Sequence, residues 1–228
     1  MTDPTAITPL APSARHRQLS ERVADQIREA IMVGSLRKGF LRTERLAVEL
    51  GVSQTPVREA LMILQAEGAV HWEPRRGFRL VPLTARDVED LYDVQAYIAG
   101  ELAARAAALM PEGSLERLAA VQVELSQAHA SGNAGEVDRH NHEFHRLINV
   151  VSGSTKLTHL LSQTVRYVPL GFFEQIEGWS DASVHDHDPI IEALRGRSKP
   201  AARRTMAAHI HHIGELFVQH LRTVGVVS

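Results

Sequence analysis

Thirteen histidines and not one cysteine set the chemistry open to this chain. All but His16 and His71 fall between His129 and His220. Imidazole is the commonest protein metal ligand and titrates near neutrality, so clustering of this kind points to metal binding or proton chemistry. The absence of cysteine excludes disulfides, thiolate metal sites, iron–sulfur clusters and a cysteine nucleophile, and fits a reducing compartment. There is no H-E-x-x-H, no nucleophile elbow and no glycine-rich phosphate loop in the sequence, and without them the histidines do not form a recognisable catalytic constellation. A metal-dependent hydrolase or oxygenase built on these imidazoles is therefore the alternative, and a non-enzymatic binding protein the preferred reading.

A second group of residues, nearer the N-terminus, suits a different task. The run TERLAVELGVSQTPVREALMILQAEG reads as a short helix after Thr43, a turn at Gly51-Val52-Ser53, and a second helix ending at Gly68. Leu46, Ala47 and Leu50 would pack the first helix; Val57, Ala60, Leu61 and Leu64 form the apolar face of the second. Gln54, Thr55 and Arg58 are left outward in the first turns of that second helix. Gln pairs with adenine, Arg with guanine or phosphate, and a helix N-terminus itself attracts phosphate. Arg45 on the preceding helix is placed as a phosphate clamp. The following AVHWEPRRGFRLVPL alternates apolar residues about a Pro-Arg-Arg-Gly turn, a hairpin pattern whose tip, Arg75, Arg76 and Gly77, would lie along a groove. Helix, turn, helix and basic-tipped hairpin in this order make a winged helix-turn-helix that reads DNA.

The whole chain must position both groups. At 228 residues two compact units are expected. The net charge is −2, yet residues 1–83 carry 12 Lys+Arg against 9 Asp+Glu while 84–228 carry 13 against 18, a basic head suited to a polyanion on an acidic body. No stretch approaches the roughly 20 apolar residues of a membrane span, so a cytoplasmic protein without membrane association is expected. The expected organisation is a flexible arm over 1–17, with three prolines and no periodicity; a winged helix-turn-helix over 18–83, opened by an amphipathic helix from Ser20; and an all-helical domain over 84–228. Helices are expected near 85–109, 114–131, 135–152, 155–178, 187–196 and 199–223, with Pro169 kinking the fourth. The fold class is thus mainly α, with an antiparallel bundle of six or more helices behind the DNA-reading head.

The run ELGVSQTPVREALMILQAEGAV resembles the GntR family of bacterial regulators. The segments LYDVQAYIAGELAARAA, NHEFHRLINVVSGSTKL, HDPIIEAL and MAAHI resemble, in order, the FadR-type all-helical effector and dimerisation (FCD-type) domain of that family. The resemblance implies a homodimer binding operator DNA, with a small-molecule effector, organic acids among the candidates, modulating that binding. It carries operator contact to Arg45, Thr55, Arg58 and Gly77. It also implies a divalent transition metal, zinc or nickel for an imidazole-rich shell, held by Asn141, His145, His187 and His209. Spacing agrees: Asn141 and His145 share one helix face, and two further helices can each add an imidazole. His140, His142, His211 and His212 then point elsewhere, and Asp138, two turns from His145, lies too far to join the shell. The chain departs from the family at Gln54, where arginine is usual, at Asn141, where aspartate is usual, and at Gln95, where acid-sensing members place arginine. Gln95 and Arg166 are expected to line the effector cavity, Arg166 supplying the missing cation.

Overall fold

The computed structural model describes residues 14–36, 38–168 and 171–228. Residues 1–13 of the expected arm, and Pro169 with its expected kink, lie outside the described residues. The chain divides into two compact units, one of residues 1–31 and 35–82 and the other of 32–34 and 83–228.

In the first unit, α1 (Ala14–Met32) starts before the periodic pattern does and so takes in residues 14–17 of the expected arm. It buries Val23, Ala24, Ile27 and Ile31 in a core shared with Leu46, Ala47, Val57, Ala60, Leu61 and Leu64. Helix α2 (Thr43–Leu50) ends at Gly51, whose left-handed φ of 64° turns the chain sharply, a conformation that glycine adopts without strain. Helix α3 (Gln54–Ala66) then begins with Pro56 in its first turn, where a missing N–H costs nothing. The hairpin is β2 (Val70–Glu73) and β3 (Gly77–Leu80), with Glu73 opposite Gly77 and Val70 opposite Leu80. Sequence reading missed β1 (Phe40–Leu41), which pairs antiparallel with the outer edge of β3 and gives the sheet order β1-β3-β2. Two residues are too short for alternation to register.

The second unit is all helical: α4 (Ala85–Leu109), α5 (Glu112–Ala130), α6 (Ala134–Val151), α7 (Thr155–Val165), α8 (Trp179–His185), α9 (His187–Arg195) and α10 (Lys199–Thr223). Helix α4 is started by a reciprocal cap, Thr84 Oγ1 accepting from the Asp87 N–H and Asp87 Oδ2 from the Thr84 N–H, which satisfies two otherwise orphaned donors. Asn133 and Ser198 cap α6 and α10 one way only, a side-chain oxygen accepting from the Glu136 and Ala201 N–H.

The expected single helix over 155–178 is not present. Helix α7 stops at Val165, the chain turns through Arg166–Val168, and a short 3-10 helix (Phe172–Gln175) precedes α8, which occupies much of what was expected to be a break. The cause is local: Gly171 and Gly178 adopt φ of 76° and 81°, values that end regular helix, and the irregular path buries Phe172, Ile176 and Trp179 in the core.

Helices α4 and α10 run in opposite directions, Tyr92 facing Gly214 and Gly100 facing Arg203. The approach is as close as glycine permits. A Cβ at Gly214 would sit 2.7 Å from Tyr92 Cγ, and one at Gly100 would sit 3.0 Å from the Arg203 carbonyl oxygen. Gly214→Ala is therefore expected to lose about 1–3 kcal/mol of unfolding free energy through forced repacking. Gly113→Ala in α5, where a Cβ meets nothing within 4 Å, is expected to be neutral or stabilising. Thermal denaturation of the two variants checks the contrast.

Candidate functional site: an imidazole cluster beside a cavity, and a basic recognition surface

Three helices bring three imidazoles together in the second unit. His145 comes from α6, His187 from the first residue of α9 and His209 from the middle of α10. One ligand atom of each lies within 4.8 Å of the others. His145 Nε2 and His209 Nε2 are 3.3 Å apart, and the His187 ring stacks on Phe144 at a centroid distance of 3.8 Å. His187 and His209 are buried, while His145 keeps partial access to the adjoining cavity.

Surrounding groups fix the orientation of these rings. Gln122 on α5 donates from Nε2 to the Val184 carbonyl at 2.8 Å, so its Oε1 accepts from His187 Nδ1–H at 2.9 Å. His187 Nε2 therefore carries the lone pair, and it is buried with no hydrogen-bond partner among the described residues. Asp186 Oδ2 accepts from Nδ1 of both His209, at 3.2 Å, and His212, at 2.8 Å. That contact turns the His209 Nε2 lone pair towards the other two rings. Carboxylate or amide partners on the far ring nitrogen are the usual support of a ligating histidine. Asn141 Oδ1 is likewise buried and, among the described residues, unpartnered. Orphaned buried acceptors are uncommon because each costs on the order of 1–3 kcal/mol. Two of them beside a converging imidazole set suit a cation that accepts lone pairs, so the donor set fits a divalent metal.

The electrostatics of His145 and His187 agree with neutral, ligation-ready rings. Burial, and then the neighbouring His209, holds His145 and His187 well below the ordinary imidazole value. For Asp186, burial pushes the carboxyl up, but the hydrogen bonds from His209 and His212 outweigh it and leave it below its usual range.

A cavity of about 300 Å³ adjoins the cluster, lined by Tyr92, Gln95, Asp138, His142, Ile213 and Trp179 among others, with Asn141, His145 and His209 at its wall. Gln95 is where the sequence placed it: it is buried, and its amide donates to the Thr164 carbonyl at 3.2 Å. Arg166 is not. It is exposed at the C-cap of α7, where the chain leaves the helix, and is absent from the lining. His140 turns away towards Glu124 and Glu136 on the α5 side, as expected, whereas His142 does face the cavity and pairs with Asp138. Sequence reasoning also missed Gln122 and Asp186. Asp186 could have been suspected from its place beside His187; nothing marks Gln122.

The first unit presents the other group. Arg45, Gln54, Thr55 and Arg58 are all exposed, the last three in the first turns of α3. Arg45 makes an i,i+4 ion pair with Glu49 at 2.6 Å, a weak surface contact that a phosphate can replace. At the hairpin tip Arg75 takes a positive φ of 64° and Gly77 one of 98°. The Arg76 guanidinium lies 4.4 Å over the Phe40 ring, so β1 supports the tip.

Two family models cover most of the chain. Residues 19–80 match the bacterial regulatory proteins of the gntR family, and residues 90–212 match the FCD domain. The chain belongs to the GntR family, with an FCD effector domain. Similar curated proteins are regulators and not enzymes. The HTH-type transcriptional regulator McbR of Escherichia coli (strain K12) is 26% identical over 91% of this chain and 97% of its own. YdhC of Bacillus subtilis (strain 168), described as an uncharacterized HTH-type transcriptional regulator, is 27% identical over 82% of this chain and 86% of its own. The Nta operon transcriptional regulator of Aminobacter aminovorans is 30% identical over 72% and 78% respectively. The solved structure of E. coli McbR/YncC shares the fold with a TM-score of 0.64 at 22% identity, covering 88% of this chain and 97% of that one. Among the described residues of this GntR protein, no helix is long and apolar enough to cross a membrane.

The depressed imidazoles set a pH dependence. Above the ordinary imidazole value of 6.5 both folded and unfolded chains hold these rings neutral and they add nothing. Below it the unfolded chain takes up protons that the folded chain refuses, so stability falls as pH falls. Chelator-treated protein is expected to melt at progressively lower temperature from pH 7.5 to 5.5, with a shallower slope in a His145→Gln/His187→Gln variant. Equal slopes in melting scans would contradict the burial of neutral rings.

Proposed function

We propose that this regulator binds a pseudo-palindromic operator as a homodimer in the cytoplasm, and that a small molecule entering the cavity of the FCD domain modulates that binding beside a resident divalent transition metal, zinc or nickel. The observation that carries the metal reading is the pair of buried, unpartnered acceptors, Asn141 Oδ1 and His187 Nε2, beside imidazole nitrogens of His145 and His209. His145, His187 and His209 would hold the ion through nitrogen, with Asn141 adding its amide oxygen; three imidazoles favour zinc or nickel over magnesium or calcium. The metal supplies a Lewis-acidic point to which an anionic or polar effector can bind. Gln122 and Asp186 orient the rings, and Gln95 lines the effector's side of the cavity. Arg45 and the wing residues Arg75, Arg76 and Gly77 serve the DNA backbone, while Gln54, Thr55 and Arg58 face base edges. An effector shifts operator affinity only by binding two arrangements of the dimer with different strength.

Elemental analysis of metal-supplemented protein is expected to give one ion per chain, and His145→Ala/His187→Ala to give none. Equal metal in both, or none in the wild type, would overturn the site. On the DNA side, Arg58→Ala is expected to weaken operator binding by about 1–3 kcal/mol and to relax specificity at one base pair. Arg45→Ala should weaken specific and non-specific DNA alike and flatten the salt dependence. Electrophoretic or anisotropy titrations at several salt concentrations separate the two effects.

A further inference from the structure

The ionisable groups on the cavity wall are unevenly distributed. Asp138 is the one carboxylate among the described lining residues. Its side chain is 15% exposed, and among the described residues it makes no hydrogen bond. The imidazole of His142 lies 3.6 Å away, beyond hydrogen-bonding distance. An ionised carboxylate is an acceptor only, and one held largely out of water without a donor is costly. Burial accordingly raises its proton affinity. The cations available to an acidic ligand are fewer than the sequence suggested. Gln95 spends its amide on Thr164, Arg166 is outside, and the one arginine on the wall, Arg146, is held by both oxygens of Glu143 at 2.7 and 2.9 Å. The rest of the wall is largely apolar, including Tyr92, Leu161, Val165, Trp179 and Ile213.

Asp138, Asn141, His145 and Asn149 follow one another at helical spacing along the cavity face of α6, so the acceptor lies on the same stripe as the imidazole cluster, two helical turns before His145. We infer that the effector is an amino carboxylate: its carboxylate binds at the imidazole end and its ammonium donates to Asp138, with an aliphatic spacer against the apolar wall. This rests on the site reading given under Proposed function. Asp138 and His145 are separated by roughly 10 Å along the helix axis, and both side chains shorten that span, so the spacer holds about three to five methylenes. A ligand with a carboxylate at each end would meet Asp138 as a like charge, and one without a donor would leave it unsatisfied. Asp138 is thus a specificity-determining residue.

The test uses full-length, metal-loaded protein and isothermal titration with ω-aminobutanoate, ω-aminopentanoate and ω-aminohexanoate, each beside the unsubstituted carboxylate of the same chain length. At least one amino member is expected to bind on the order of tenfold or more tightly than its partner, as a charge-assisted hydrogen bond to a buried group should give. Asp138→Asn should abolish that preference, and His142→Gln, which keeps the carboxylate, should retain it; circular dichroism of each variant checks the fold. No preference within any pair in the wild type, or a preference that survives in Asp138→Asn, overturns the inference. Metal content is measured on every sample. A missing ion, which overturns the site reading, is thereby told apart from a missing amine preference in metal-loaded protein, which overturns this inference alone.

Discussion

The close approach of α4 and α10 is the constraint on which the effector domain depends. Two glycines at two crossing points, Gly100 and Gly214, let the longest helices of the domain touch almost backbone to side chain. Neither position tolerates the volume of a methyl group without repacking. With that distance set, the stripe Met206, His209, Ile210 and Ile213 of α10 and the stripe Tyr92, Gln95 and Ala99 of α4 both line one cavity. Helix α6 closes a third side and brings Asn141 and His145 to it.

Packing of this kind places polar atoms where water would otherwise satisfy them, and the domain resolves most of that cost with directed hydrogen bonds. The chain Val184 carbonyl, Gln122, His187 is one example; the sharing of Asp186 between His209 and His212 is another. Each fixes a tautomer. Among the described residues three buried side-chain atoms are left over: His140 Nδ1, on the side of α6 turned to Glu124, and the two acceptors beside the cluster, on Asn141 and His187. In the proposed site a dication among three neutral imidazoles and a neutral amide would keep its full charge, which favours an anionic group as the next ligand. Asparagine where a carboxylate is usual would then weaken retention of the ion while strengthening its hold on an anion.

Much of this could be read from the sequence, for reasons that differ by element. The helix-turn-helix was legible because Gly51, the apolar spacing of α3 and the Pro-Arg-Arg-Gly turn are all local signals. The long helices of the bundle were legible because their periodicity outlasts their errors at the ends. The path from Arg166 to Asp186 was not, since its aromatic residues read as helical periodicity while Gly171 and Gly178 break it. Nor was β1, too short to show alternation. In the site, the three imidazoles came from resemblance and spacing, and the structure brings them together. Gln122 was not legible, because a residue that orients another through one hydrogen bond leaves no pattern in sequence, and Asp186 was marked only by its place beside His187. Arg166 misled for a simpler reason. The helix ends one residue before it, so the face it was assigned to does not exist there.

The central claim is that the convergent imidazoles form a metal shell, and X-ray absorption fine structure on zinc- or nickel-loaded protein addresses it most directly. The expected spectrum has a shell of imidazole nitrogens near 2.0–2.1 Å with the outer-ring scattering of about three histidines and a further light-atom oxygen. A shell of oxygens alone, without imidazole scattering, would contradict it.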